Sequence, residues 1–130
     1  MINLEPLAAK AAQRMVGANA DSALNLINKA LMVLAEQGLF AFGLFLCSRK
    51  RDEDIRAASD IHQAVIQLLE TANLATRPQN DHIINVDYYR ALTETRTTEQ
   101  PAQALQRLIL TKQVVETALT YGRYQAKSLS

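Results

Sequence analysis

The sequence predicts an all-α fold, a single compact bundle of five to six helices, and three observations lead there. Its 130 residues make one domain, long enough to bury roughly two thirds of its unfolded surface without a disulfide or metal staple. With 4 Gly, 3 Pro and 5% aromatic residues, it is too poor in turn residues and aromatic side chains for a sandwich or barrel. Apolar residues instead recur every three or four positions, broken by stop and start signals at Gly38, Asp52 and Pro101. Hydrophobic residues at 48% and charged residues at 21% exclude a mainly disordered chain.

The first helix is expected to open at Pro6, where a missing amide donor costs nothing, and to reach about Gly17. Leu4, Leu7, Ala8, Ala11, Ala12 and Met15 form its apolar face, with Lys10, Gln13 and Arg14 opposite. Asp21 or Ser22 should cap a second helix that ends at Gly38. Its Leu24, Leu26, Ile27, Leu31, Met32, Val33 and Leu34 point nearly all round the axis, which places it at the centre of the domain. Leu39 to Cys47 is apolar throughout and holds every Phe. Being short and flanked by helices, it reads as a buried helix, and its unbroken apolar run is far below the about 20 residues of a membrane span. Leu31, Leu34, Phe42, Phe45 and Leu46 are expected in one core.

Arg49, Lys50 and Arg51 close that helix, and Asp52, Glu53 and Asp54 open the next, each sign at the end its dipole favours. Ile55, Ala58, Ile61, His62, Val65, Leu68 and Leu69 are the stripe of this fourth helix. Arg77, Pro78, Gln79, Asn80 and Asp81 mark the longest connection. Asp87 can cap a short helix through about Thr95. Glu99 to Pro101 then starts a long one to about Lys127, with Leu108, Val114, Val115, Ala118, Leu119, Tyr121 and Ala126 on one arc. Lys112, Glu116, Arg123 and Lys127 lie on the opposite side.

Catalytic and cofactor chemistry finds little purchase. The two histidines, His62 and His82, stand twenty residues apart with no Glu-x-x-His motif, so no metal is expected; His62 reads as a half-buried packing residue and His82 as a loop residue. Gly17, Gly38, Gly43 and Gly122 are isolated and cannot build a phosphate loop or dinucleotide fingerprint. Cys47, the single cysteine, reads as a small buried hydrophobe with no partner for a disulfide. Glu5 and Pro6 stand where a secretory leader would be basic and then apolar, so a cytoplasmic protein is expected. No enzyme, cofactor, small-molecule substrate or membrane partner is expected.

Polar surface on a helical scaffold remains. The net charge of +1 excludes a strongly basic molecule, so any nucleic-acid contact must come from local patches. The candidates are Lys10, Arg14, Arg49, Lys50, Arg51, Arg56, Lys112, Arg123 and Lys127. Lys10 and Arg14, and likewise Arg123 and Lys127, are like charges one helical turn apart, which repel slightly unless a phosphate or carboxylate sits against them. The competing reading is a solvated helix face on an interaction protein without any nucleic-acid role.

The segment from Ser22 to Lys50, SALNLINKALMVLAEQGLFAFGLFLCSRK, resembles the small all-helical subunit of type III-B (Cmr) CRISPR effector complexes. The matching positions are Gly38, Leu39, Phe42, Phe45, Leu46 and Lys50, preceded by the stripe of Leu24, Leu31 and Leu34. Ala-rich Lys10 to Val16, Tyr89-Arg90, and Tyr121, Arg123 and Lys127 are also similar, so the likeness covers most of the chain. Gln37 departs from the family's Asn, and no Trp stands near the C-terminus. The resemblance implies a non-catalytic subunit serving antiviral defence, one that stacks on copies of itself and on other effector-complex subunits. It also implies contact with the backbone of guide RNA and target RNA, without base-edge readout.

Overall fold

The computed structural model describes residues 3–17, 19–80 and 83–129, and among these it is helical with no strand. The elements are α1 (Glu5–Val16), α2 (Ala20–Gln37), α3 (Leu39–Cys47), α4 (Asp52–Thr71), α5 (Val86–Leu92) and α6 (Pro101–Leu129). The expected helical bundle therefore forms, with six helices; Asp81 and His82 lie outside the described residues.

The core is built on α4, whose Ala58, Ile61, Val65, Leu68 and Leu69 are buried. α1 lies against both α4 and α6, and its inward Ala8, Ala11, Ala12 and Met15 are small or flexible enough for both neighbours to close on it. Sequence periodicity gives the centre to α2, but Met32 is 62% exposed and Leu24, Leu31 and Val33 are only half-buried. α2 touches α6, α3 and α4 on one side only, so its outer apolar residues stay wet while Leu26, Ile27, Ala30 and Leu34 are buried. Ile55 is likewise exposed, because the first turn of α4 reaches past the core.

The caps differ from expectation in an instructive way. Asn19, not Asp21 or Ser22, caps α2: its Oδ1 accepts from both the Asp21 and Ser22 amides at 3.1 Å. Asn85, not Asp87, caps α5 by accepting from the Asp87 amide at 2.8 Å. In each case the capping side chain sits two or three residues before the amides it serves, and the acid then occupies the first turn.

α3 is less buried than its composition implies. Leu39, Phe42 and Leu46 face inward, whereas Phe40 and Leu44 are exposed and Phe45 is half-buried under the Arg49 guanidinium, 4.0 Å above its ring. Cys47 is exposed too, its Sγ 3.7 Å from the Ile84 carbonyl. Only two neighbours grip this nine-residue helix closely, α2 and α5. The α5 contact depends on Gly43: a Cβ there would stand 2.5 Å from the Tyr89 ring. Tyr89 is fully buried, packs edge-on against Phe42 at 5.6 Å, and its hydroxyl lies 2.7 Å from His62 Nδ1. His62 is thus buried rather than half-buried, with its Nδ1 met by that hydroxyl.

α5 joins α6 through an arginine clamp. Arg107 binds Glu99 through two guanidinium nitrogens, at 2.8 and 3.0 Å, and also donates to the Leu92 and Glu94 carbonyls. Those Glu99 hydrogen bonds, reinforced by the Arg96 amide at 3.1 Å, hold the Glu99 carboxyl down to about 2. Beyond the clamp, buried residues of α6 begin at Thr111.

Candidate nucleic-acid interface

Three contacts fix how α6 runs. Lys112 Nζ reaches the Ala35 carbonyl at 3.4 Å, Gly122 packs near Ile27, Met15 and Ala12, and the Tyr121 hydroxyl donates to Glu5 at 3.0 Å. α6 is therefore antiparallel to α2, and α1 lies along it, with Leu4, Glu5 and Ala8 beside Leu110, Val114 and Thr117 and with Ala12 and Met15 beside Gly122. Ser22 Oγ donates to Glu53 at 3.4 Å, which brings the starts of α2 and α4 together, and Asp60 lies against Gly17 at the end of α1. The end of α1, the starts of α2 and α4 and the end of α6 consequently share one end of the bundle.

That topology gathers candidates scattered over more than a hundred positions of sequence. Arg14 is in the last turn of α1, Arg49 to Arg51 lead into α4, Arg56 is in its second turn, and Arg123 and Lys127 are near the end of α6. These cations outnumber the acids at the same end, Asp21, Asp52, Glu53, Asp54 and Asp60. The starts of α2 and α4 add the positive ends of two helix dipoles. Lys10 sits one turn from Arg14 on the exposed face of α1. Lys112 stands apart, about 16 Å from Arg123 along the helix axis at about 1.5 Å per residue.

The nine candidates differ in what already holds them. Arg49 is committed to its own helix end, donating to the Phe45 carbonyl at 3.0 Å and to Ser48 Oγ at 2.9 Å. Arg51 pairs with Asp54 at 3.0 Å and Glu53 at 3.7 Å. Lys112 is shared between the Ala35 carbonyl and Glu116, 3.8 Å away. Lys10, Arg14, Lys50 and Arg56 are exposed and form no ion pair or hydrogen bond with another described residue. Arg123 is half-buried, and its Nε is shut from water without a hydrogen bond among the described residues. Lys127 is exposed and is engaged in an interaction of its own.

The same end holds a cleft of about 380 Å³ between α1, α2 and α4, whose polar lining includes Asn19, Ser22, Glu53, Arg56, Ser59 and Asp60. Sequence reasoning misses these residues apart from Arg56, since nothing local marks Asp60 as a neighbour of Gly17. Among the described residues no group of His, Cys, Asp and Glu is arranged to hold a metal ion, and no helix is long and apolar enough to cross a membrane. Comparison with protein-family models, with curated proteins and with solved structures finds no match to this chain.

Proposed function

We propose that this chain is a non-catalytic, RNA-contacting small subunit of an RNA-guided effector assembly, similar to the small subunit of type III-B (Cmr) CRISPR complexes and acting in cytoplasmic antiviral defence. The observation that carries the reading is the collection of Arg14, Lys50 and Arg56, exposed and without an ion pair among the described residues, at one end of the bundle, with Lys10 a turn away and Arg123 and Lys127 beside them. Exposed cations left without acids are suited to phosphates, which they meet without first breaking an internal ion pair. The likeness of Ser22 to Lys50 to that family supports the same reading, as do the six helices, which match the architecture the resemblance implies. In this role the subunit follows guide and target RNA backbone, meets further copies of itself and the other subunits, and reads no base sequence through these cations.

A salt titration of RNA binding tests it. Affinity for unrelated single-stranded and duplex RNAs should fall together as salt rises. Replacing Arg14, Lys50 and Arg56 by Gln should flatten the slope by roughly one unit for each phosphate that is no longer neutralised. An unchanged slope in that variant would reduce these cations to a solvated face.

A second reading, a homo-oligomeric adaptor with no nucleic-acid role, draws on a different observation. Met32 is 62% exposed, Leu105 58% and Ile109 48%, apolar side chains on α2 and α6 that a second copy would cover. It predicts concentration-dependent association without RNA affinity.

A further inference from the structure

The cleft at the basic end carries a charge pattern that a simple ion does not fit. It is lined by Arg56, with Arg14 in the last turn of α1, and by the carboxylates of Asp60 and of Glu53, the latter already met by Ser22 and Arg51. A bare phosphate would meet those carboxylates, and a simple cation would meet the Arg56 guanidinium. A molecule that is anionic at one end and rich in N–H donors at the other satisfies both, which is the chemistry of a nucleotide.

We propose that this cleft seats a single unstacked guanine nucleotide, its phosphate against Arg56 and its base edge against Asp60. Asp60 is half-buried with Oδ2 lying against Gly17, and its carboxylate forms no hydrogen bond or ion pair with another described residue, so its acceptor capacity is unspent. Guanine presents two adjacent donors, N1–H and the 2-amino group, that match a carboxylate as a fork. Adenine and cytosine offer a donor beside an acceptor, and uracil one donor between two acceptors, so none of them matches it. Val16 and Ala57 supply apolar walls for the ring faces, and Asn19 and Ser59 further polar groups at the rim. A volume of about 380 Å³ falls within the size of small-ligand clefts. Gly17 shapes the floor: a Cβ there would collide with the Asp60 carboxylate. Burial also raises the Asp60 carboxyl above its ordinary value, so the group gains from any donor that replaces lost water.

The guanine seat rests on the RNA reading and deepens it, adding one base-selective position to an otherwise backbone-directed surface, and the two can fail separately. The full chain is titrated with guanosine, inosine, adenosine and cytidine 5′-monophosphates while backbone amide resonances are followed. Guanosine monophosphate should move the amides of Gly17, Asn19, Ser22 and Ser59 and bind about tenfold or more tighter than the adenosine and cytidine forms, as one charge-assisted hydrogen bond warrants. Inosine monophosphate, lacking the 2-amino group, should fall between, which tests the fork without touching the protein. D60N should erase the preference while leaving weak, salt-sensitive binding of all four. Equal binding of the four nucleotides, shifts away from the cleft, or a guanine preference that survives D60N would overturn the proposal even if RNA still binds. Salt-sensitive RNA binding that is absent while guanosine monophosphate still occupies the cleft would instead overturn the backbone reading.

Discussion

The two ends of the bundle differ in how many of their cations are engaged: at the end that gathers Arg14, Lys50 and Arg56 only some are, as Arg49 and Arg51 are by Phe45, Ser48 and Asp54. Where the end of α4 meets α5 and the start of α6, the arginines are engaged. Arg77 pairs with Glu70 at 3.2 Å, Arg90 with Asp87 at 3.1 Å, Arg96 donates to the Leu74 carbonyl at 2.6 Å, and Arg107 clasps Glu99. At the other end Arg14, Lys50 and Arg56 are exposed and have no such partner among the described residues. Arg107, Arg96 and Arg77 join separate stretches of chain, while the Arg90–Asp87 pair is mostly exposed within α5; Arg14, Lys50 and Arg56 have no ion pair to break before meeting an outside group. Partners, not number, distinguish the cations engaged in the fold from those proposed to meet RNA.

The largest expected effect lies in neither end but in the core that holds them in register. Phe42→Ala removes a fully buried ring packed on Tyr89 and should cost about 3–5 kcal/mol in chemical denaturation. Phe45→Ala, where the ring is half-buried under Arg49, should cost clearly less. Equal losses would contradict the inward and outward faces assigned to α3.

Next comes the clamped end. Arg107→Met should lower the melting temperature by several degrees, because it strands Glu99 and two backbone carbonyls in a site where the paired side chains are only 9% and 12% exposed. The pH dependence has a definite sign. The Glu99 carboxyl is lowered from 4.5 to about 2 by Arg107 and the Arg96 amide. Its contribution is complete above about 4.5 and is lost as pH falls toward about 2. Acid melts of the parent should therefore decline across that window more steeply than those of Arg107→Met.

A smaller effect tests the cap that the sequence leaves ambiguous. Asn19→Ala should cost about 1 kcal/mol, through the two amides it leaves bare, while Ser22→Ala should not act through capping. Smallest of all, Arg14, Lys50 and Arg56 replaced together by Gln should change stability by no more than about 0.5 kcal/mol per site. A larger loss would mean that these residues belong to the fold.

The helices are legible in the sequence because each buries one face: the three-and-four spacing in α1 and α4 coincides with buried residues except at half-buried Leu4 and Leu7 and exposed Ile55, and Gly38, Asp52 and Pro101 mark real boundaries. What periodicity cannot convey is how much of an apolar helix its neighbours cover, so α2 and α3 read as more enclosed than they are. Asn19 is masked as a cap because two other good capping residues follow it closely. The site is legible only as a set of cations. Arg107 and Arg56 look alike in sequence, and their difference resides in Glu99, eight positions from the one, and in the lack of any ion pair to the other among the described residues. The Gly17–Asp60 and Gly43–Tyr89 contacts join positions more than forty apart, where a single sequence carries no signal.

The most direct test of the contrast sets the two ends against each other in one assay. RNA affinity is measured across a salt series for the parent, for Arg14, Lys50 and Arg56 changed to Gln, and for Arg77 and Arg90 changed to Gln, with circular dichroism verifying that each variant is folded. The first variant should lose affinity and flatten the salt slope by roughly one unit for each phosphate left without its cation, while the second binds RNA like the parent. Equal losses in both variants, or a loss only when the paired end is changed, would contradict the division of the two ends into cations of function and cations of the fold.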